Sequence, residues 1–480
     1  MKDFKYTWVV GLVFILALII VPIVIFIPWD KSSAKDPWDY VPVRAPHTDH
    51  TDLMQGSYET GSDVTRACLE CHEDAAWQIM QTVHWTWESE PYEIEGRDAP
   101  VTIGKKTSLN NFCIGIQSNW PGCTSCHAGY GWEDADFDFS NADNVDCLVC
   151  HDNSGLYVKG SAGYPVEGVE LDAVAQGVGV PNRDDCGSCH FVGGGGNGVK
   201  HGDLDAHLSH PPESVDVHMG RYDFLCIDCH KTTDHVISGR SISVSLDFEN
   251  QVYCTDCHAE DLHEDERLNA HISAVACQTC HIPEGAVKDP TKMFWDWSAA
   301  GQDIEEDEHT YLKIKGAFVY ESDFTPEYYW YAGIRDRYLL GDIIDPSIST
   351  ILNPPEGDIG NPDALIFPFK VHLAKQPYDT VYNYLLQPKT VGEGGYWAEF
   401  DWGQALQLGS DVVGMEFSGE YDFADTEMYW PISHMVAPVG HALNCADCHA
   451  EGGRLDWLAL GYDGDPIEWG NRFQEGHVSK

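Results

Sequence analysis

A mainly α chain with large irregular content is the fold class the sequence predicts, its core built around stacked, covalently attached groups and preceded by one N-terminal transmembrane helix. Three observations predict it. One cysteine motif recurs eight times in 480 residues, a 22-residue apolar run lies near the N-terminus, and about sixty residues stand behind each motif.

The motif is Cys-x-x-Cys-His. Its copies are Cys68, Cys71 and His72; Cys123, Cys126 and His127; Cys147, Cys150 and His151; Cys186, Cys189 and His190. The other four are Cys226, Cys229 and His230; Cys254, Cys257 and His258; Cys277, Cys280 and His281; and Cys445, Cys448 and His449. Two thiols three residues apart bond to the vinyl carbons of a haem, and the next histidine ligates its iron. Structural zinc sites pair Cys-x-x-Cys units but need no histidine directly after the second cysteine, so eight copies with that histidine exclude zinc. The expected cofactors are eight covalently bound c-type haems, and the fold class is that of a multihaem cytochrome c. At so few residues per haem the macrocycles form much of the core, leaving little sheet, short helices and long connections.

Trp8 to Trp29 read WVVGLVFILALIIVPIVIFIPW, long enough to span a bilayer. The run exceeds the apolar core of a cleaved signal peptide, although Ser32-Ser33-Ala34 leaves cleavage open. Lys2 and Lys5 precede it and place the N-terminus in the cytoplasm. The expectation is a signal-anchor with the haem domain on the periplasmic or extracytoplasmic side. The domains read as an anchor at 1–30, a Pro- and Asp-rich tether at 31–65 and a seven-haem region at 66–281. A haem-free, Trp- and Tyr-rich region at 282–444 follows, packed on the haem array, and the eighth haem and tail occupy 445–480.

Lys and Arg number 28 against 77 Asp and Glu, a net charge of −49. Nucleic acid is excluded as a partner. The acids are scattered, as on a solvated surface, and an acidic docking face for basic redox partners is the sharper alternative.

The segment 73–87 carries Trp77, Met80 and His84 at helical spacing. His84 lies twelve residues past His72, roughly 18 Å along a continuous helix. On such a helix it cannot face the same iron as His72 and must reach another haem. Fifteen of the 23 histidines lie outside the motifs, enough for eight second ligands. His47 and His50, in the tether, and His477, near the C-terminus, are set aside because such segments are often loosely ordered. A haem with two strong protein ligands passes electrons, whereas one with an open position can bind substrate.

The stretches RACLECHEDAAWQIMQTVHWTW (66–87), NNFCIGIQSNWPGCTSCHAGYGW (110–132), VDCLVCHDNSGLYVKG (145–160), DPTKMFWDWS (289–298), FPFKVHLAKQPYD (367–379) and SHMVAPVGHALNCADCH (433–449) resemble the octahaem tetrathionate reductase family. The resemblance covers roughly residues 60–470, including the haem-free insert and the separate eighth motif. It implies that the second haem, at His127, is the active site, with a lysine as its second ligand and a free cysteine nearby. Lys159 is the matching lysine, and Cys113 is the one cysteine outside the motifs. The resemblance also implies His84, His201, His218, His235, His263, His271 and His434 as second ligands of the other haems. His372 is a candidate proton donor or pocket residue, and Lys370 and Lys375 are candidates for local positive charge toward an anion. The expected function is a membrane-anchored reductase taking electrons from a quinol-linked or soluble partner to a small inorganic substrate: tetrathionate, nitrite or hydroxylamine. A pure electron conduit with every haem six-coordinate is the alternative, as is the same chemistry run as an oxidation. An oligomer is left open.

Overall fold

The computed structural model describes residues 12, 16, 41–44, 46–112, 115–239, 241–246, 250–470 and 472. Apart from Leu12 and Leu16, the expected transmembrane segment lies outside the described residues, as do Cys113 and His477. Among the described residues no helix is long and apolar enough to cross a membrane.

The chain forms two compact units, Met1–Val41 with Tyr253–Asn269, and Pro42–Val252 with Ala270–Lys480. In the small unit the sixth motif opens on a 3-10 turn, Cys254–Asp256. The Asp256 carboxylate accepts the Tyr253 N–H at 2.9 Å and ties that turn at its start.

In the large unit the haem-bearing half is made of short helices, as expected. Gly61–Leu69 starts from Thr60, whose hydroxyl and backbone N–H exchange bonds with Asp63. The helical pattern at 73–87 is not one helix. Ala75–Met80 ends, the chain turns at Gln81 and Thr82, and Val83–Thr86 adds one further turn that Trp87 closes in the left-handed region at φ 53°. A small hairpin, β1 (Thr232–Thr233) and β2 (Val236–Ile237), follows the fifth motif.

The haem-free stretch corrects the expectation of a mainly α fold with little sheet. Helix takes 26% of the chain and strand 17%, and most of the strand belongs to one eight-stranded sheet. Its strands are β3 (Thr291–Asp296), β4 (Tyr311–Leu312), β5 (Gly316–Glu321), β6 (Glu327–Tyr331), β7 (Thr350–Ile351), β8 (Leu365–Asp379), β9 (Tyr384–Leu385) and β10 (Tyr421–Pro431). The order is β4-β5-β3-β8-β10-β7, with β6 and β9 also pairing β8. β8 runs antiparallel to β10 along its whole second part, setting His372 opposite Met428 and Lys370 opposite Trp430. The physical reason for the sheet is composition. MFWDW, GAFVYE and EYYWY are aromatic and β-branched runs that fit a pleated, half-buried surface. On β5 Gly316 and Phe318 face inward while Val319 and Glu321 face solvent.

The sheet carries its own core. Trp295 stacks on Trp297 with centroids 4.4 Å apart, and Tyr396 stacks on Trp402 at 3.9 Å. The longest described helix, Trp402–Val413, caps this core. It lies so close that a Cβ on Gly409 would overlap the Gln387 carbonyl, which is why glycine stands there.

Candidate haem centres and the pocket at His127

Two imidazoles on opposite faces of one metal, each with a bond of about 2.0 Å, put their ring centroids roughly 6 Å apart. Among the described residues four motif histidines face a second histidine at that separation. His84 faces His190 at 6.2 Å, His434 faces His230 at 6.2 Å and His271 faces His449 at 6.1 Å. The fourth pair is His50 with His72 at 6.4 Å. His84 therefore reaches a motif more than a hundred residues away, although the helix carrying it is broken.

His50 was passed over because of its place in the tether. The fold holds it: Leu53 and Met54 donate their N–H groups back to the His50 carbonyl, and Met54 is buried against Val64, Leu148 and Leu171. Its Nδ1 donates to the Thr48 carbonyl at 2.8 Å. If His50 and His72 share an iron, His50→Ala turns one low-spin haem high-spin, seen by electron paramagnetic resonance. An unchanged low-spin count would rule the pair out.

The ring orientations fit haem ligation. A ligating histidine donates its other ring N–H to an acceptor, which fixes the tautomer and leaves Nε2 for the metal. Nδ1 of His151 donates to the Gly179 carbonyl at 2.9 Å, that of His230 to Ser238 at 2.8 Å, and that of His449 to the Asp465 carboxylate at 2.6 Å. Three of the seven histidines expected as second ligands have the same kind of bond. His434 donates to Asp203 at 3.0 Å, His235 to the Gln78 side chain at 2.7 Å and His263 to Asn269 at 3.1 Å. His201 lies against Trp430 at 5.0 Å, and His218 against Phe224 at 5.8 Å. Several motifs also lie close to one another, with Cys68 beside Cys147, Cys126 beside Cys189 and Cys186 beside Cys226.

His127 is different. The rings around it are Trp132 at 4.8 Å, Trp85 at 5.0 Å, Phe137 at 5.4 Å, Trp87 at 5.6 Å and Phe139 at 6.1 Å. One ring nitrogen, Nε2, donates to the Trp85 carbonyl at 2.7 Å; the other, Nδ1, is buried without a partner among the described residues. Burial pushes the ring down to about 3, so it is neutral and has a lone pair to offer.

Lys159 comes to the same place from the other side. Its Nζ pairs with Asp146 at 2.8 Å and donates to the His127 and Gly129 carbonyls. Tyr130 and Tyr157 also donate to Asp146, each at 2.8 Å, and burial raises both phenols well above their ordinary range. Lys159 thus meets the His127 main chain and is held by a buried carboxylate.

Two further cations rim the cage. Lys105 Nζ sits 4.3 Å over the Trp87 ring, and Lys106 Nζ sits 3.8 Å over Phe139 and 3.0 Å from Glu88. Sequence reading missed them, yet a Lys-Lys pair in so acidic a chain was the available signal. Lys370 does not supply exposed charge: it is buried, its Nζ bonded to the Val199 and Lys200 carbonyls and the Thr291 hydroxyl, and burial drives its pKa far down. Lys375 lies opposite Asp425 on the neighbouring strand.

His372 is wholly buried. The Asn111 amide donates to the His372 and Thr426 carbonyls, so its Oδ1 must accept from His372 Nδ1, 3.0 Å away. The proton is therefore on Nδ1, and Nε2 is a buried lone pair with no partner among the described residues. Burial, Lys370 and Lys292 keep the ring neutral, so it is placed to accept a proton rather than to donate one from Nε2. The same contacts tie β8 to the segment that leads into Cys113.

A crystal structure of octahaem cytochrome c from Shewanella oneidensis superposes with a TM-score of 0.83 at 49% identity, covering 88% of this chain and 98% of that one. The chain belongs to the octahaem cytochrome c family. Two family models match parts of it: bacterial cytochrome c over residues 292–452, and cytochrome c7 and related cytochrome c over residues 212–282. An uncharacterized protein of Archaeoglobus fulgidus is 24% identical over 245 residues, 40% of this chain and 82% of that one. As an octahaem cytochrome c the protein carries covalently bound c-type haems and exchanges electrons with redox partners. Haem domains of cytochromes c are usually extracytoplasmic. The transmembrane part of the sequence expectation has no support in the described helices.

Proposed function

We propose that this octahaem cytochrome c is a reductase whose reaction site is at His127, taking electrons from a quinol-linked or soluble donor to a small sulfur or nitrogen compound: tetrathionate, nitrite or hydroxylamine. One observation carries the reading. Among the described residues four motif histidines face a second imidazole, while the rings that surround His127 are aromatic carbocycles and indoles with two lysines at their rim.

The bound haems supply the electron path and, where no second imidazole is present, a metal position open to substrate. The polypeptide supplies the rest. Trp85, Trp87, Trp132, Phe137 and Phe139 exclude water around His127. Lys105 and Lys106 offset the repulsion that a chain of net charge −49 exerts on an anion. Asp146 holds the Lys159 ammonium next to His127, with Tyr130 and Tyr157 on the same carboxylate. Lys159 acts either as the second ligand, in its neutral form, or as a proton source when charged. Cys113 offers a nucleophile to a sulfur substrate.

A conduit without catalysis is the second reading, and the closeness of several motifs favours it. Paramagnetic resonance of the oxidised protein with added nitrite or cyanide separates the two. The reductase gives a perturbed signal from one haem. Eight low-spin haems that bind nothing would leave only the conduit.

A further inference from the structure

Arg337 stands apart among the basic residues of this acidic chain. It is 2% exposed. One guanidinium nitrogen, Nη2, donates to the Leu109 carbonyl at 3.2 Å. The other two, Nε and Nη1, have no partner among the described residues. Arg183 shows the ordinary arrangement: it is also buried, and its three nitrogens reach the Phe224, Ser209 and Met219 carbonyls and Asp223. The acid next to Arg337 in the chain, Asp336, is taken by Arg97. Burial lowers the Arg337 guanidinium only to about 10, so it keeps its charge at neutral pH.

A buried charge with two unbonded nitrogens is among the costliest features a fold can hold, and native structures do not leave it unmatched. The guanidinium is a rigid planar fork of N–H donors, and an anionic oxygen accepts from any of them in a charge-assisted bond. A second basic group lies close by: burial, with Lys105 and Arg337 near it, pulls Lys200 down to about 7, and its Nζ sits 4.6 Å over the Trp430 ring and 5.9 Å from Phe112 with no ion-pair partner among the described residues. Leu109 and Phe112 belong to the same buried cluster as Trp430 and Tyr338. They lie on the segment that runs into Cys113.

We propose that Arg337, with Lys200 beside it, forms a buried anion site that takes a carboxylate-like group, either a small inorganic oxyanion or the propionate of a neighbouring haem. The site stands on the unpaired guanidinium. Only the oxyanion source rests on the reductase reading.

The test uses the full-length haem-loaded protein with Arg337→Gln, Arg337→Lys and Lys200→Gln, each first checked for eight haems. Redox titration and nitrite binding are then measured on each. If a propionate is the occupant, Arg337→Gln lowers the midpoint potential of one haem without added anion, because a cation that favoured the reduced state is gone; Arg337→Lys restores it, and nitrite affinity is unchanged. If a free oxyanion is the occupant, potentials hold and the nitrite Kd rises about tenfold or more, as expected for losing a charge-assisted hydrogen bond. Wild-type potentials together with wild-type nitrite affinity in Arg337→Gln would overturn the site. Should that variant not fold, Lys200→Gln decides by the same two measurements, and wild-type behaviour in both overturns the proposal. Nitrite failing to bind the wild-type protein sinks the reductase reading, and the potentials then judge the site alone.

Discussion

On the reductase reading, Lys159→Ala abolishes most turnover of nitrite, hydroxylamine or tetrathionate, a loss of about a hundredfold or more if the lysine serves as a positioned proton source. If instead it is the second ligand at His127, the variant gains a high-spin signal and binds cyanide rapidly. Stability falls as well. The Lys159 side chain is 7% exposed and its partner Asp146 is fully buried, so removing the cation strands a carboxylate. Breaking such a pair costs about 3–5 kcal/mol. The double variant Lys159→Met with Asp146→Asn recovers much of that stability but not activity, since no charge is left stranded. Chemical denaturation and steady-state kinetics check both halves. Full turnover by folded Lys159→Ala would remove the residue from the chemistry.

His84→Ala is expected to have the next largest effect. Its ring faces His190 at 6.2 Å, and burial keeps it neutral and fit to ligate. A bond through one iron closes a loop of about a hundred residues, and by analogy with a cross-link of that length its loss costs about 4–5 kcal/mol. The variant loses one low-spin signal and unfolds at lower denaturant. A retained signal with unchanged unfolding would show that the two rings do not share a metal.

These residues illustrate how far the chain could be read in advance. The covalently bound c-type haems were legible because their motif is a matter of local spacing. The sheet was not. β8 is buried along most of its length, so Lys370, His372 and Gln376 sit inside it and no alternation of apolar and polar residues marks it as a strand. His50 was lost for a similar reason. Its segment looks like a linker, and only the burial of Met54 beneath it shows that it is fixed.

The sequence by itself determined what the protein carries. Covalent haem attachment needs five consecutive residues and nothing else, so it survives without knowledge of the fold. The tertiary structure decided what those haems can face. Histidines from chain segments far from a motif come to face it, as His434 faces His230 and His271 faces His449. The cage around His127 draws Trp85 from a segment some forty residues earlier, and the unmatched charge of Arg337 exists only because folding removes it from water. Contacts between residues tens to hundreds apart depend on packing, and no local pattern records them.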